Sequence, residues 1–297
     1  MTRSLWMVAA LCGCTAADAA PTAQSATGYY HARDFGITGT GDESAKVNAA
    51  LATLPAASTF DFDGLSVTAN VVIPASAGVI GQSRQLTIRG CAKLTAATAA
   101  PVFRMADSVA AYFLTIEDCF LKALTEGVRF DRMFESEFRQ VWVTGPVDMI
   151  AFHAIGTANG NIFQQVYTGG AVGVKAEATG GASSGPNSNR IRDSRFQSAT
   201  GVWIGESVQD WIIEGSLFET CTVVCVRLDG TRLLVAAQNR IECAGPLGII
   251  LGPHSDGTIG TQYWSSCLRR IGADSAEDIA AWRIDTQPGP IKPGAAP

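Results

Sequence analysis

Short runs of alternating apolar and polar residues recur along the chain between about residues 114 and 252. The first repeat has one apolar or small residue at the same position in every unit. These equivalent positions are spaced 22, 25, 28, 22 and 23 residues apart, at Leu121, Val143, Thr168, Phe196, Phe218 and Ile241. A fixed period in the twenties predicts a solenoid, because units of that length are too short to fold alone.

A second repeat runs in phase with the first and consists of apolar–any–apolar triplets. They lie 24, 22, 28, 24 and 23 residues apart, at Val128–Phe130, Phe152–Ala154, Val174–Ala176, Val202–Ile204, Val226–Leu228 and Ile249–Leu251. Such a triplet is typical of a short strand with one buried face. With two or three such strands per period and no helical pattern between them, the sequence predicts an all-β fold, a parallel β-helix. Tight turns are expected at Asp118, Gln140, Gln165, Asp193 and Gly215.

Composition agrees with this fold class and limits the function. Of the 297 residues, 47% are hydrophobic, only 16% are charged, and 31 are glycine, which suits a turn-rich β protein. The net charge of −5 argues against a general nucleic-acid binder. We therefore expect no nucleic-acid partner.

The first residues predict an export signal. Met1–Arg3 gives a basic start, Leu5–Leu11 is a short apolar run, and Ala17–Ala19 provides a small-x-small cleavage site. The alternative is a lipoprotein box at Leu11–Cys14 with an acylated Cys14. Either interpretation predicts a secreted or periplasmic protein, and no other apolar run reaches the ~18 residues of a membrane span.

The whole chain is predicted to contain one solenoid domain with shorter segments before and after it. We predict a signal peptide over 1–19, a linker over 20–28, a β-helix domain with an N-terminal cap helix over 29–285, and a flexible tail over 286–297. A Gly- and Ser-rich loop, Thr179–Ser188, is expected to protrude. Asp274–Trp282 is predicted to form a capping helix.

Six cysteines lie outside the predicted signal, and export permits disulfides. Leu86–Cys91 aligns residue for residue with Leu114–Cys119. Equivalent positions on successive turns lie ~4.8 Å apart, within the Cα separation that a disulfide tolerates. We predict a Cys91–Cys119 disulfide and, on weaker grounds, Cys221–Cys243. The alternative for both pairs is an internal column of reduced thiols.

The segment before the repeats predicts one helix and several short strands. Asp42 can cap a helix that stops before Pro55. The apolar face of that helix consists of Val47, Ala50, Leu51 and Leu54.

Several short motifs surround this helix in a fixed order: Asp34–Gly36, Gly41–Asp42, the helix itself, Ile73–Pro74 and Val79–Gly81. The order resembles the start of the pectin-lyase-like right-handed parallel β-helices, which include pectate lyases, polygalacturonases, uronan epimerases and phage tailspikes. The resemblance covers about residues 29–252. It implies a right-handed β-helix whose N-terminal helix covers the open end of the stack. Residues 42–45, Asp-Glu-Ser-Ala, depart from the Thr-Asp-Asp-Thr-like step of many members.

In-register stacking places each repeat position in a column on the surface. The outward column of the second repeat is Arg129, His153, Lys175, Trp203, Arg227 and Ile250. The next outward column is Asp131, Ile155, Glu177, Gly205, Asp229 and Gly252. By resemblance, this sheet corresponds to the one that carries the catalytic groove in polysaccharide-active β-helices.

Cations and a stacking ring along one groove suit an acidic polysaccharide as the partner. On this interpretation Trp203, Arg227 and Asp229 bind substrate. The alternative is that the charged residues form surface ion pairs that keep an exposed sheet soluble. Those pairs would be Arg129–Asp131, Lys175–Glu177 and Arg227–Asp229.

Two cleavage chemistries are open at these columns. A lyase needs a base for the proton next to a uronate carboxylate and a cation for the enolate. His153 or Lys175 could be the base, and Arg129 or Arg227 the cation. A hydrolase needs two carboxylates, and Asp131 and Glu177 lie two turns apart, roughly 9.6 Å, at the upper end of inverting geometry. The polygalacturonase signatures are absent from the sequence.

The first repeat offers a second candidate face. Its outward column begins with Phe120, Trp142 and Tyr167. Three aromatic rings in register can stack on sugars, so Trp142 and Tyr167 are candidate substrate-binding residues, or they can pack under a loop or a partner subunit.

No metal site is indicated, because the cysteines lack a Cys-x-x-Cys spacing with nearby histidines. Ca²⁺ enters only by the family resemblance, and aligned aspartates of the pectate-lyase kind are not visible in the sequence. We therefore predict an exported carbohydrate-active enzyme that cleaves a uronate-containing polysaccharide by β-elimination. The alternatives are an inverting glycoside hydrolase on the same fold and a non-catalytic glycan-binding or structural β-helix.

Overall fold

The computed structural model describes residues 28–179, 185–275 and 279–285. The predicted signal peptide with Cys14, the linker up to residue 27 and the tail lie outside these residues. So do residues 180–184 of the predicted protruding loop and 276–278 of the predicted capping helix. The last residue of that predicted helix, Trp282, begins a strand, Trp282–Ile284.

The described chain winds into a parallel β-helix of about nine turns. The first sheet contains Tyr29–His31, Thr59–Asp61, Ile162–Gln164, Arg190–Arg192, Ile212–Glu214, Leu233–Val235, Gly257–Ile259 and Trp282–Ile284. The second sheet contains Ser66–Thr68, Leu217–Cys221, Arg240–Cys243 and Tyr263–Ser265. The third sheet contains Val71–Ile73, Phe103–Met105, Glu126–Phe130, Ile150–Ile155, Val224–Leu228, Leu247–Leu251 and Arg269–Ala273.

Five longer strands turn a corner of the helix. Three run from the first sheet into the second: Thr87–Thr95, Thr115–Lys122 and Glu137–Thr144. Two run from the second sheet into the third: Tyr167–Glu177 and Arg195–Ile204. A further short sheet, which the sequence did not predict, contains Gln82–Arg84, Ala110–Tyr112 and Met133–Phe134. Its strands of two or three residues are too short to show an apolar period.

The strand register confirms both predicted repeats. In the second sheet Val143 pairs with Leu121 and Thr168, and the pairing continues to Phe196, Phe218 and Ile241. In the third sheet the predicted triplets pair position for position from Val128 to Leu251. Because each triplet occupies the same position on its turn, the columns inferred from the sequence exist in the structure.

The predicted tight turns have a left-handed backbone at every position. The φ angles are 53°, 54°, 54°, 51° and 57° at Asp118, Gln140, Gln165, Asp193 and Gly215. Residues other than glycine disfavour this backbone conformation, so contacts with the neighbouring turns must stabilise it. The amide of Gln165 donates to the carbonyl of Arg192, and that of Asp193 to Glu214, each at 3.2 Å. Hydrogen bonds between successive turns therefore hold each corner in a backbone conformation that is otherwise unfavourable.

The N-terminal helix has the predicted face and end. Helix α1 spans Ser44–Thr53, and Val47, Ala50, Leu51 and Leu54 are all buried. Asp42 Oδ1 accepts hydrogen bonds from the amide of Ser44 at 2.9 Å and from its hydroxyl at 2.6 Å. A short 3₁₀ helix, Ala32–Phe35, precedes it. Within the described ranges, no helix is long and apolar enough to cross a membrane.

Aromatic rings fill the centre of the coil. Phe163 is fully buried and stacks on Phe138 on the preceding turn, with ring centroids 5.1 Å apart. It stacks on Trp211 from the other side at 6.0 Å and meets Phe152 edge-on at 5.5 Å. The rings therefore link the first and third sheets across several turns.

Buried Asn side chains stabilise the corners that precede the first and second sheets. Asn161 Oδ1 accepts from the amide of Ser136 at 3.1 Å, and Asn189 Oδ1 accepts from the amide of Asn161 at 2.9 Å. At the corner before the second sheet, Asn239 Oδ1 accepts from the amide of Ser216 at 2.8 Å. These side chains accept hydrogen bonds from buried backbone amides that lie outside the strand ladders. An unpaired amide inside the protein would be destabilising.

The structure confirms one predicted disulfide and corrects the other. Cys91 and Cys119 are bonded, with Cα atoms 4.4 Å apart. The Cys221–Cys243 prediction was wrong: although these residues are register partners, Cys243 bonds Cys267 on the next turn. Cys221 and Cys225 are free and buried. A hydrogen bond with Cys221, together with burial, raises the pKa of the Cys225 thiol, so it remains an unreactive thiol.

Removal of the Cys91–Cys119 disulfide is expected to lower the free energy of unfolding by roughly 3–4 kcal/mol. The bond joins residues 28 apart in sequence, and its loss frees that loop in the unfolded chain. Urea unfolding of the Cys91→Ala/Cys119→Ala variant measures the effect. The matched control is Cys221→Ala/Cys225→Ala, which also removes two buried sulfurs but no crosslink. Equal losses in the two variants would contradict the prediction.

Candidate functional site

The third sheet presents the predicted column of outward side chains. Arg129 pairs with His153, His153 with Lys175, and Lys175 with Trp203. The column continues to Arg227 and Ile250. Inward neighbours such as Val174 and Ala176 are fully buried, which fixes the outward direction of Lys175 between them.

A cation–aromatic–cation stack forms the centre of this column. Lys175 Nζ lies 5.0 Å from the centre of the Trp203 ring, and Arg227 Cζ lies 5.8 Å from it. Cation–π attraction holds both charges against the indole. The sequence placed these three residues correctly on consecutive turns.

A groove opens beside the stack. It has a volume of about 340 Å³ and is lined by Lys175, Ala176, Glu177, Ala178, Trp203, Gly205, Glu206, Arg227 and Asp229. Two cations and three carboxylates therefore share one opening with a tryptophan. Glu206 was not identified from the sequence, because it belongs to the connection after a strand and not to a repeated column.

Asp229 fixes the Trp203 side of the groove. Its Oδ2 accepts hydrogen bonds from Trp203 Nε1 and from Arg227 Nε, both at 2.8 Å. The hydrogen bond to Asp229 raises the pKa of Arg227 above its ordinary value, so the guanidinium keeps its charge. The next residue in the Asp229 column is Gly252, where a Cβ would lie 1.8 Å from Asp229 Oδ1. Glycine at that position leaves room for the carboxylate.

His153 lies between two glutamates. Its Nδ1 is 2.9 Å from Glu126 Oε1, and its Nε2 is 2.7 Å from Glu177 Oε1. The side chain is only 8% exposed. Glu177 also pairs with Lys175, with 2.7 Å between Oε2 and Nζ. His153 therefore contacts the groove through Glu177 and is not among the residues that line it.

Glu126 was missed by the sequence analysis, although the sequence contains a signal for it. Its register column continues with Ile150, Val172, Thr200, Val224 and Leu247. A carboxylate in an otherwise mostly apolar column indicates a specific partner, because burial of an unpaired charge is costly. That partner is His153 on the next turn.

Both glutamates around His153 are held in the ionised form. Burial alone would raise the pKa of Glu126, but the hydrogen bond from His153 and the charges of His153, Arg129 and Lys175 outweigh it and lower the pKa. Burial is likewise outweighed at Glu177, where hydrogen bonds from Lys175 and His153 lower the pKa.

Acid is therefore expected to destabilise the protein partly through Glu126. A carboxyl whose folded pKa lies below its ordinary 4.5 stabilises the fold above that pH, and the contribution is lost as pH falls through the lower, folded value. In Glu126→Gln, the free energy of unfolding should fall less steeply with pH below 4.5. Urea unfolding at several pH values measures this slope. Asp107→Asn, on a fully exposed carboxylate, is the control, and identical slopes in Glu126→Gln and wild type would contradict the prediction.

The remaining predicted catalytic residues lie away from the groove lining. Arg129 pairs with Glu126 at 3.7 Å, and Asp131 pairs with Arg132 at 3.7 Å, so the predicted Arg129–Asp131 ion pair was wrong. The other two predicted pairs, Lys175–Glu177 and Arg227–Asp229, are present at 2.7 and 2.8 Å. Arg129 selects Glu126 because that carboxylate lies on its own strand, beside His153.

The aromatic column of the second sheet is also present. Phe120 and Trp142 have ring centroids 6.5 Å apart, and Trp142 and Tyr167 5.9 Å apart. Arg195 continues the column, with Cζ 5.7 Å from the centre of the Tyr167 ring. These rings lie on a different sheet from the groove, so the structure does not bring Trp142 and Tyr167 together with Trp203.

No fitting calcium or other metal site is found in the described part of the chain. There, no group of three or more His, Cys, Asp or Glu side chains could hold a metal ion. Two of the groove carboxylates are instead paired with cations or with His153: Glu177 with Lys175 and His153, and Asp229 with Arg227.

Comparisons with known proteins agree with the fold. No protein-family model matches the sequence, and no curated protein sequence matches it. The ORF18 protein of Geobacillus virus E2 superposes with a TM-score of 0.57 at 13% identity, over 83% of this chain. The chain spans 60% of the length of that viral protein.

An alginate lyase from Paenibacillus sp. str. FPU-7 is also similar in structure. It superposes with a TM-score of 0.55 at 10% identity, over 82% of this chain and 97% of the lyase. At these identities the likeness is one of fold. The fold is the right-handed parallel β-helix that the repeats and the N-terminal motifs predict.

Proposed function

We propose that this chain cleaves an acidic, uronate-containing polysaccharide by β-elimination in the groove of the third sheet. The observation that carries the proposal is the stack of Lys175, Trp203 and Arg227 along one open groove. The guanidinium of Arg227 attracts a uronate carboxylate, and an indole supplies an apolar surface for a sugar ring. A shared fold with an alginate lyase gives further support.

Two of the lining residues carry the chemistry in this proposal. Arg227 binds the uronate carboxylate and stabilises the negative charge that develops on it. Lys175, as the uncharged amine, removes the proton from the carbon next to that carboxylate and becomes the ammonium ion. The electron pair forms the new carbon–carbon double bond as the bond to the glycosidic oxygen breaks, and water protonates that oxygen. His153 is a positioning residue, because it acts through Glu177.

A panel of uronate polysaccharides tests the proposal with purified protein. New ultraviolet absorbance from an unsaturated product is the expected result, since elimination creates a carbon–carbon double bond. New reducing ends without absorbance would indicate hydrolysis instead. Binding without either product would overturn cleavage and leave a glycan-binding protein.

Inverting hydrolysis is the second candidate, favoured by two of the three carboxylates in the groove. Glu177 and Asp229 both line it and lie two turns apart, which corresponds to about 9.6 Å along the stack. This pair replaces Asp131 and Glu177, because Asp131 does not line the groove. An acid–base pair of carboxylates predicts reducing ends whose formation is lost in both Glu177→Gln and Asp229→Asn.

We also propose that the protein is exported. Two disulfides in the described chain suit an oxidising compartment, which agrees with the predicted signal peptide. N-terminal sequencing of the mature protein tests this, with a start at about residue 20 expected. Membrane association that is lost in Cys14→Ala would instead support the lipoprotein alternative.

A further inference from the structure

The aromatic column of the second sheet is exposed where its rings are largest. Trp142 is 55% exposed, and its ring lies between Phe120 on one turn and Tyr167 on the next. The inward neighbours Val141 and Val143 are fully buried, so the backbone beneath the ring is fixed. The three rings form a rigid apolar track along the helix axis, which we call the aromatic track.

A depression lies beside this track. It has a volume of about 390 Å³ and is lined by Cys91, Asp118, Cys119, Phe120, Gln140 and Trp142. Asp118 and Gln140 occupy the left-handed corner, so their polar side chains stand at the edge of the rings. The Cys91–Cys119 disulfide ties together two of the turns beneath it. An apolar ring flanked by a few hydrogen-bonding groups is the usual composition of a small-ligand site.

The track is too narrow for a subunit interface. Beyond Tyr167 the same column contains Arg195 and Arg240, which are paired with Glu219 and Glu242. A stable interface buries about 800 Å² on each partner and has an apolar centre depleted of charge. Three rings bounded by ion pairs instead match the size of a few sugar rings.

The charge at the track selects among sugars. Asp118 is the charged residue that lines the depression; its carboxylate is 43% exposed and lies 3.6 Å from Arg89 Nη2, outside the lining. This carboxylate can still accept hydrogen bonds from hydroxyl groups of a sugar. The cations of the third sheet have no counterpart in this lining.

We propose that the aromatic track is a second carbohydrate-binding site, separate from the groove, that takes neutral pyranose rings of a polysaccharide. Successive rings of the chain would stack along Phe120, Trp142 and Tyr167, while Asp118 and Gln140 bind hydroxyl groups. The site would hold the protein on a neutral polysaccharide. It is independent of the cleavage proposed above.

Calorimetry with neutral β-linked hexasaccharides of glucose, mannose and galactose tests this proposal on the purified protein. Wild type is expected to bind at least one of them, and Trp142→Ala to lose about tenfold in affinity, equivalent to one stacked ring. Tyr263→Ala is the matched control. Tyr263 is 65% exposed in the same column, where it pairs with Arg240 and has no aromatic partner on that turn. Its replacement should leave the affinity unchanged.

Three results would overturn the proposal. The first is an absence of binding to every neutral hexasaccharide by wild type. The second is unchanged affinity in Trp142→Ala. The third is a dimer in sedimentation that Trp142→Ala converts to a monomer, because the track would then be a subunit interface. Since turnover of uronate polymers is measured separately, failure of this site and failure of the proposed cleavage are distinguishable.

Discussion

Replacement of Lys175 by arginine is expected to reduce uronate cleavage by roughly 10²–10⁴-fold, the usual contribution of a proton-transfer group. Arginine keeps the positive charge beside Trp203 but cannot be deprotonated in a protein, so it cannot accept the proton. The Lys175→Met variant keeps the aliphatic stem over the indole and removes the charge, and it should lose as much. Initial rates of absorbance increase at saturating substrate measure both effects.

The arginine variant separates two roles of Lys175. If Lys175 only attracts the uronate, Lys175→Arg should retain the wild-type rate, which would contradict its role as the base. Lys93→Ala, on an exposed lysine outside the groove, is the control and should leave the rate unchanged.

The fold could be predicted because every turn of a β-helix has the same pattern of inward and outward residues. Each turn contributes an inward apolar or small residue at the same place, so the spacing of Val143, Thr168 and Phe196 gives the register directly. The turn residues could be located because they follow from the same alignment. The short extra sheet could not, since two-residue strands such as Met133–Phe134 have no period to detect.

The site was predicted as columns, and columns are only part of its geometry. Register placed Lys175, Trp203 and Arg227 together. It could not show which way a charged side chain turns to find its partner, as Arg129 does toward Glu126. The same limit explains Cys243, whose register partner is Cys221 but whose bond is to Cys267. Side-chain direction within a turn is set by local packing that a repeat pattern does not contain.

The Phe163→Ala variant is expected to lose about 3–5 kcal/mol of unfolding free energy, the range for a buried phenylalanine replaced by alanine. Phe163 is fully buried and contacts Phe138 on the preceding turn, Trp211 two turns further on and Phe152 in the third sheet. Closure of the cavity would require Phe138 and Trp211 to move toward each other. The strand ladders on which they sit resist that movement, so most of the cavity should persist. Guanidinium unfolding measures the loss.

The matched control removes the same side chain where it is exposed. Phe113 is 48% exposed, so Phe113→Ala leaves no buried cavity. Its free energy of unfolding should fall by less than about 1 kcal/mol. A loss of similar size in the two variants would show that the rings inside the coil add no more stability than one on its surface. In a solenoid each turn is stable only against its neighbours, so a cavity at Phe163 weakens the interface on both sides. The unfolding transition of Phe163→Ala should therefore be broader than that of wild type, because the N-terminal and C-terminal turns no longer unfold as one unit.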